Sequence, residues 1–253
     1  SVSLLVDLKR WEDGIVVNGQ RVTVGYFLKE GDTVRLSVGD HGADSGFEER
    51  EMPLDILYED QDILVVNKPP FLPVHPSKGH ISDTLANGLA FYYHQKGETF
   101  VFRCVLRLDR NTSGAVLIAK NAYSHDKLRR QLSEGLVKKE YHALVHGRPS
   151  FHGVIDAPIY RPQEATIQRI VHPEGRPAVT EYFTVQSDGR LSLLKVLPRT
   201  GRTHQIRLHL SHVGTPIVSD FLYGYEDDGV LTRHGLHCST LTFFHPVTGK
   251  TVH

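Results

Sequence analysis

Asp109 stands between two arginines in the run Arg107-Leu108-Asp109-Arg110-Asn111-Thr112-Ser113-Gly114. An opposite charge nearby favours the ionised form of a carboxylate. The apolar run Ala115 to Ala119 that follows suits a buried strand. An ionised carboxylate at the edge of a buried strand can act as a nucleophile or a base. Alone, the pattern also fits a salt-bridged surface turn of small energetic value. Two further segments carry reactive side chains. Lys138-Lys139-Glu140-Tyr141-His142 sets a phenol among charges, and Arg199-Thr200-Gly201-Arg202-Thr203-His204-Gln205-Ile206-Arg207 gathers three arginines around a histidine.

Taken in order, these segments resemble the RluA-type pseudouridine synthases. The pattern of that family is R-L-D-R-x-T-S-G, then K-x-Y, then G-R-T-H-Q-I-R. The stretch Gly214-Thr215-Pro216-Ile217-Val218-Ser219-Asp220-Phe221-Leu222-Tyr223-Gly224 is similar to the family as well, and the resemblance runs from about Leu54 to the C-terminus. It implies isomerisation of uridine in RNA to its C-glycoside. The C1′–N1 bond breaks, the base turns, and C1′ joins C5. No redox step, metal or cofactor is needed.

The resemblance assigns the essential carboxylate to Asp109. Attack at C1′, addition at C6 and removal of a 2′ proton all remain open. Arg207 is expected as the ion-pair partner of Asp109, because a guanidinium can bind a carboxylate through two parallel hydrogen bonds. Tyr141 matches the family tyrosine that stacks on the target base and assists proton removal at C5. The target nucleotide must leave its stack first, and Arg107 would fill the space it vacates. Arg202 and His204 would hold phosphates near a helix start. Arg110 and Lys139 complete the expected RNA contacts. The chain departs from the family at Phe71 and Ser219, where Gly is usual, and at Leu106, where His is usual. Target choice is the property these changes bear on.

The elements that position these groups follow from local patterns. Residues 4–11 read as the end of a helix. Asn18-Gly19 is a strong hairpin turn between 14–17 and a return strand over 21–24. Residues 33–38 alternate like a half-buried strand after the Gly31-Asp32 turn. This pattern partly resembles an S4 RNA-binding module. Residues 55–60 and 63–68 read as paired strands, followed by the rigid loop Lys68-Pro69-Pro70-Phe71-Leu72-Pro73. A helix is expected over 121–133, capped by Asn121, stopped at Gly135, with Leu128 and Leu132 inward. Tyr141, Ala143 and Val145 alternate onto one strand face. Thr203 is expected to cap a helix reaching Val213, with Ile206, Leu210 and Val213 as its apolar stripe and Gly214 and Pro216 as its end. These patterns support alternating strands and helices; the resemblance implies an α+β fold with a mixed, mainly antiparallel sheet flanked by helices. Residues 1–40 form the partial S4-like module, 41–53 a linker, and 54–253 the catalytic domain.

Bulk properties bound the rest. The chain has 253 residues, 40% hydrophobic and 23% charged, which suits a soluble globule. Two cysteines give no disulfide framework, so a reducing cytosol is the natural compartment. No apolar run approaches the roughly 18 residues of a membrane helix. Formal net charge is zero, so an RNA partner requires local basic clusters. A monomer is the simplest assembly. Three other functions compete. Sixteen histidines, with His204, His209 and His212 close together and His142 and His146 four apart, raise a metal site, but convergence with a carboxylate or thiolate is missing. A non-catalytic RNA-binding module would not need Asp109. A glycoside hydrolase needs two carboxylates at a set distance, and no second acid accompanies Asp109 in its segment.

Overall fold

Asn18 and Gly19 both take positive φ, 51° and 81°, the conformation that a type I′ hairpin demands. They join β1 (Ile15–Val17) to β2 (Gln20–Arg21), and β3 (Val34–Leu36) lies on the other side of β1. The computed structural model describes residues 5–6, 8–39, 43–163, 166–225 and 229–253. The return strand is therefore shorter than expected and starts one residue earlier. β1 is buried, but all three residues of β3 are exposed. Its alternation does not become a half-buried face, because β3 is an edge strand paired on one side only. Residues 5, 6 and 8 are helical; Leu4 and Asp7, also expected as helix, lie outside the described residues.

The remaining elements follow in chain order: β4 (Ile56–Glu59), β5 (Ile63–Lys68), α1 (Leu85–Gln95), β6 (Arg103–Leu106), β7 (Ser113–Ala119) and α2 (Ala122–Ser133). Then come β8 (Lys138–His146), β9 (His152–Asp156), β10 (Ile159–Tyr160), β11 (Ile170–Val171), β12 (Val179–Ser187) and β13 (Leu191–Pro198). The chain closes with α3 (Gln205–His212), β14 (Leu236–Phe244) and β15 (Thr251–Val252). One large sheet runs β4-β5-β7-β14-β8-β13-β12-β9, with β6 beside β7 and β15 beside β14. Every pairing is antiparallel except β7 with β14. The fold is thus α+β with a mixed, mainly antiparallel sheet, as the family resemblance implies.

The core follows from hydrophobic patterning. β7 is buried along its whole length and β5 along nearly all of it, as expected for strands covered on both faces. β8 alternates, and Lys139, Tyr141, Ala143 and Val145 share its buried face. α2 packs on β6, β7 and β14, with Leu128 fully buried and Leu132 partly so. Asn121 caps it by accepting from Ser124 N–H, and Gly135 takes φ 70° just beyond its end. α1 carries no sequence expectation. It starts at a Thr84–Asn87 capping box and buries Leu85, Leu89 and Tyr93. Residues 43–52, expected as a linker, form neither helix nor strand. They are fastened to α1: Asn87 Nδ2 donates to Glu48 O at 2.7 Å, and Arg50 N–H to Asn87 O at 3.3 Å.

The β7–β14 contact sets the site. Gly114 has φ 113°, and a Cβ there would lie 2.1 Å from the Cys238 carbonyl oxygen. Only glycine allows this approach. The Asp109 loop between β6 and β7 thereby meets the residues that lead into β14.

Candidate active site

The loop carrying Asp109 is pinned from several sides. Lys68, fully buried, donates from Nζ to Arg110 O at 3.0 Å and to the carbonyls of Pro69 and Leu72 at 2.8 and 2.9 Å. The lysine thus ties the proline-rich loop to the Asp109 loop. Burial pulls its ammonium down to about 7, with Asp109 opposing and Arg233 adding. Thr112 N–H donates to Asp109 O at 3.1 Å. The Thr112 hydroxyl meets His234 Nε2 at 2.8 Å, and Arg233 Nη2 donates to Ser113 Oγ at 3.0 Å.

Arg207 reaches Asp109 from α3. Its Nη1 donates to Asp109 Oδ2 at 3.2 Å. The expected partnership is present, but the expected two-bond geometry belongs to another acid. Arg207 Nε and Nη2 each donate to Asp220 at 2.7 Å. Asp220 is fully buried, and Oδ1 also accepts from the N–H groups of Leu222 and Tyr223. Burial pushes the Asp220 carboxyl up, and Arg207 more than offsets it, holding it below the usual carboxylate range. Burial would lower the Arg207 guanidinium, but Asp220 and then Asp109 raise it overall. A second carboxylate, from outside the Asp109 segment, thus shares the same guanidinium. It is sealed from solvent with both oxygens engaged, so it cannot act on a glycoside.

Asp109 itself is 29% exposed in its side chain. Among the described residues no donor occupies its Oδ1. His204 Nε2 lies 3.8 Å from Oδ2. The structure makes His204, not Thr203, the residue before α3. It has φ 57° and no side-chain cap, and the helix ends at His212, leaving Val213 44% exposed. Burial pulls the His204 imidazole below its ordinary value, against the pull of Asp109. Tyr141 is buried on β8 opposite Cys238 on β14. Burial pushes the phenol well above its ordinary value, so it is protonated at neutral pH.

Beside this cluster lies a cavity of about 560 Å³ walled by Arg107, Arg161, Arg169, Arg176 and Arg202, with Glu174 as the acid in the wall. Arg161, Arg169 and Arg176 were not legible as part of the site. They flank the short β10–β11 hairpin, and no local pattern links that hairpin to Arg107. Arg110 is exposed, with Nε donating to Phe71 O at 3.4 Å. Lys139 does not reach this basic surface. It is 8% exposed and directs Nζ to Thr200 O at 3.4 Å, because it shares the inward face of β8 with Tyr141.

The histidines have other duties. His209 is fully buried and uses both ring nitrogens, on Thr180 Oγ1 and Ala157 O at 2.9 Å. Among the described residues, the cluster that gathers three ligand atoms is Asp60, Asp62 and His245. There His245 Nδ1 accepts from Val247 and Thr248 N–H, so Nε2 carries the proton it donates to Asp60. Neither nitrogen is left for a metal.

Two departures from the family pattern have a backbone cause. Phe71 and Ser219 take φ 63° and 55°. Glycine is the usual residue in that left-handed region because it lacks the Cβ penalty. Ser219 Oγ accepts from Leu231 N–H at 3.2 Å, which partly offsets the strain.

A family model described as RNA pseudouridylate synthase matches residues 62–212. The chain is 40% identical over 253 residues to the uncharacterized RNA pseudouridine synthase YjbO of Bacillus subtilis (strain 168), covering 100% of this chain and 89% of that relative. It is 36% identical over 258 residues to ribosomal large subunit pseudouridine synthase D of Pasteurella multocida (strain Pm70), covering 96% of this chain and 80% of the relative. Among solved structures, human RNA pseudouridylate synthase domain containing 1 is similar with a TM-score of 0.66 and 27% identity, over 79% of this chain and 81% of that one. The chain belongs to the RNA pseudouridylate synthase family, enzymes that isomerise uridine to pseudouridine in RNA.

Proposed function

We propose that Asp109 is the reactive carboxylate and that the substrate is a uridine in structured ribosomal or transfer RNA. The observation that carries this reading is the Asp109–Arg207 pair, held at 3.2 Å with the Arg107-walled cavity alongside. The pair fixes one carboxylate oxygen and leaves the other open to substrate. Electrostatic preorganisation of this kind needs no rearrangement during reaction.

In this reading the target nucleotide flips out of its stack and Arg107 occupies its place. Arg202 and the arginines of the β10–β11 hairpin take the flanking phosphates, and Arg110 lies at the rim. A protonated phenol is a weak base, so Tyr141 contributes its ring face to the uracil rather than removing the C5 proton at rest. Lys139 supports Tyr141 and Thr200 from behind. His204 lies against Asp109 and meets RNA only beyond it.

Residues 1–40 act as the partial S4-like RNA-binding module, 41–53 as the strap that joins it, and 54–253 as the catalytic domain. A monomer working in the cytosol, without a small-molecule cofactor, is the simplest assembly. Ribosomal RNA is the first pool to test, since relatives in several species are named for the large ribosomal subunit. The test is tritium release from RNA labelled at uridine C5, with ribosomal and transfer RNA offered separately. Release from one pool names the substrate class; release from neither contradicts the reading.

A further inference from the structure

His204 carries an unusual combination of features. It is one of four non-glycine residues with positive φ among those described, and it stands immediately before α3 without capping it. Strain of this kind persists only where the surroundings over-determine it. The surroundings here are Tyr223 and Asp109. The Tyr223 hydroxyl is 3.0 Å from His204 Nδ1, and the rings meet edge-on with centroids 5.6 Å apart.

The same hydroxyl accepts the backbone N–H of Arg169 at 2.8 Å. A phenol has a single proton. Among the described residues, His204 Nδ1 is the acceptor within reach of that proton, and the direction Tyr223 O–H to Nδ1 satisfies it. Nδ1 is then unprotonated, and the ring proton sits on Nε2. Nε2 is the atom 3.8 Å from Asp109 Oδ2. A line of contacts therefore runs from the hairpin that carries Arg169, a wall of the cavity, to the carboxylate.

We propose that Tyr223 is a positioning residue that couples the cavity wall to Asp109 by holding His204 in the Nε2–H tautomer aimed at Oδ2. The inference rests on the reading of Asp109 as the reactive carboxylate. RNA seated on Arg169 fixes the hairpin, the hairpin fixes the phenol, and the phenol fixes which imidazole nitrogen faces the acid. A closure of roughly 0.6–1 Å turns the 3.8 Å approach into a hydrogen bond. The charged groups around His204 are Asp109, Arg207, Arg169 and Asp220. Arg207 also lies 5.3 Å from the Tyr223 ring centroid, so the ring has a packing role that the hydroxyl does not share.

Tyr223→Phe separates the two roles, since it keeps the ring and removes the hydroxyl. Two readouts are expected to move. The kcat for pseudouridine formation falls roughly ten-fold, the loss of one hydrogen bond, with RNA affinity unchanged within about two-fold. In the RNA-free protein, nitrogen-15 shifts of His204 at pH 7.5 change from a single Nε2–H form to a mixture. The proposal is overturned if kcat stays within two-fold of wild type, or if the wild-type shifts report Nδ1–H.

A double-variant cycle guards against a variant that merely folds badly. His204→Gln places an amide N–H near the Nε2 position without a tautomer to choose. In that background Tyr223→Phe is expected to cost no further activity; an undiminished ten-fold loss contradicts the relay. If wild-type protein makes no pseudouridine from any RNA, the Asp109 reading fails, while the nitrogen shifts still decide the relay.

Discussion

Arg207 gives two nitrogens to Asp220 at 2.7 Å and a single one to Asp109 at 3.2 Å. The tighter bonds go to the sealed acid, and the longer one to the acid that faces solvent. Asp220 therefore fixes the guanidinium, and the guanidinium in turn aims Asp109.

Arg207→Lys tests this arrangement. An ammonium is a point charge and cannot span two carboxylates in the geometry of a planar fork. The variant is expected to lose about 2–3 kcal/mol of stability, because Asp220 keeps its burial but loses a bond. Pseudouridine formation should fall on the order of 100-fold. Urea unfolding and product assay measure the two effects. A lysine variant with wild-type stability and turnover would mean that charge alone suffices.

His234 makes stability depend on pH. Burial, with Arg207 adding, pulls its imidazole from 6.5 to about 4; Asp220 and Asp109 oppose, and Arg233 adds. Between those values the unfolded chain binds a proton that the folded chain excludes. Stability is therefore full above pH 6.5 and falls as pH drops toward 4. The contribution is about 3 kcal/mol. His234→Gln should flatten this part of the profile in urea titrations at pH 7, 5.5 and 4.5. Identical slopes for variant and parent would assign the acid loss to other groups.

Gly114→Ala addresses the only parallel pairing seen in the large sheet of the described residues. Its Cβ would meet Cys238 backbone from a φ of 113°, and neither strand can yield without breaking the ladder. A loss of about 4 kcal/mol or more is expected, at the severe end for single substitutions. A melting temperature within two or three degrees of the parent would show that β7 and β14 can separate freely.

What the sequence made legible was local. Asn121 capping α2, Asn18-Gly19 turning β1 into β2, and the inward row of Tyr141, Ala143 and Val145 each follow from spacing within one element. The Asp109–Arg207 pairing was legible through the family resemblance. Other features depend on residues distant in the chain. Asp220 claims the guanidinium fork only because the turn after α3 folds back on it. Arg161, Arg169 and Arg176 join Arg107 only through the fold. Thr203 looked like a cap, but the αL backbone of His204 displaced the helix start by one residue. α1 is not legible in the sequence because its capping box uses Asn87 in place of Glu or Gln and Gly88 interrupts its apolar pattern.

The arginine-walled cavity predicts the salt dependence of binding. Each side chain on a phosphate adds about 0.7–0.9 to the slope of log affinity against log salt. Arg176→Ala and Arg202→Ala should each lower that slope by about this amount and weaken binding to all RNA sequences alike. Filter binding across a salt series measures it. Unchanged slopes in both variants would remove the cavity from the RNA interface.

Asp109→Asn is the most direct test. The substitution keeps shape and packing and leaves Arg207 anchored on Asp220. The account predicts RNA affinity within about two-fold of wild type and no pseudouridine or C5 tritium release above background, because every open route needs a carboxylate. Turnover by the asparagine variant at a substantial fraction of the wild-type rate would contradict the account.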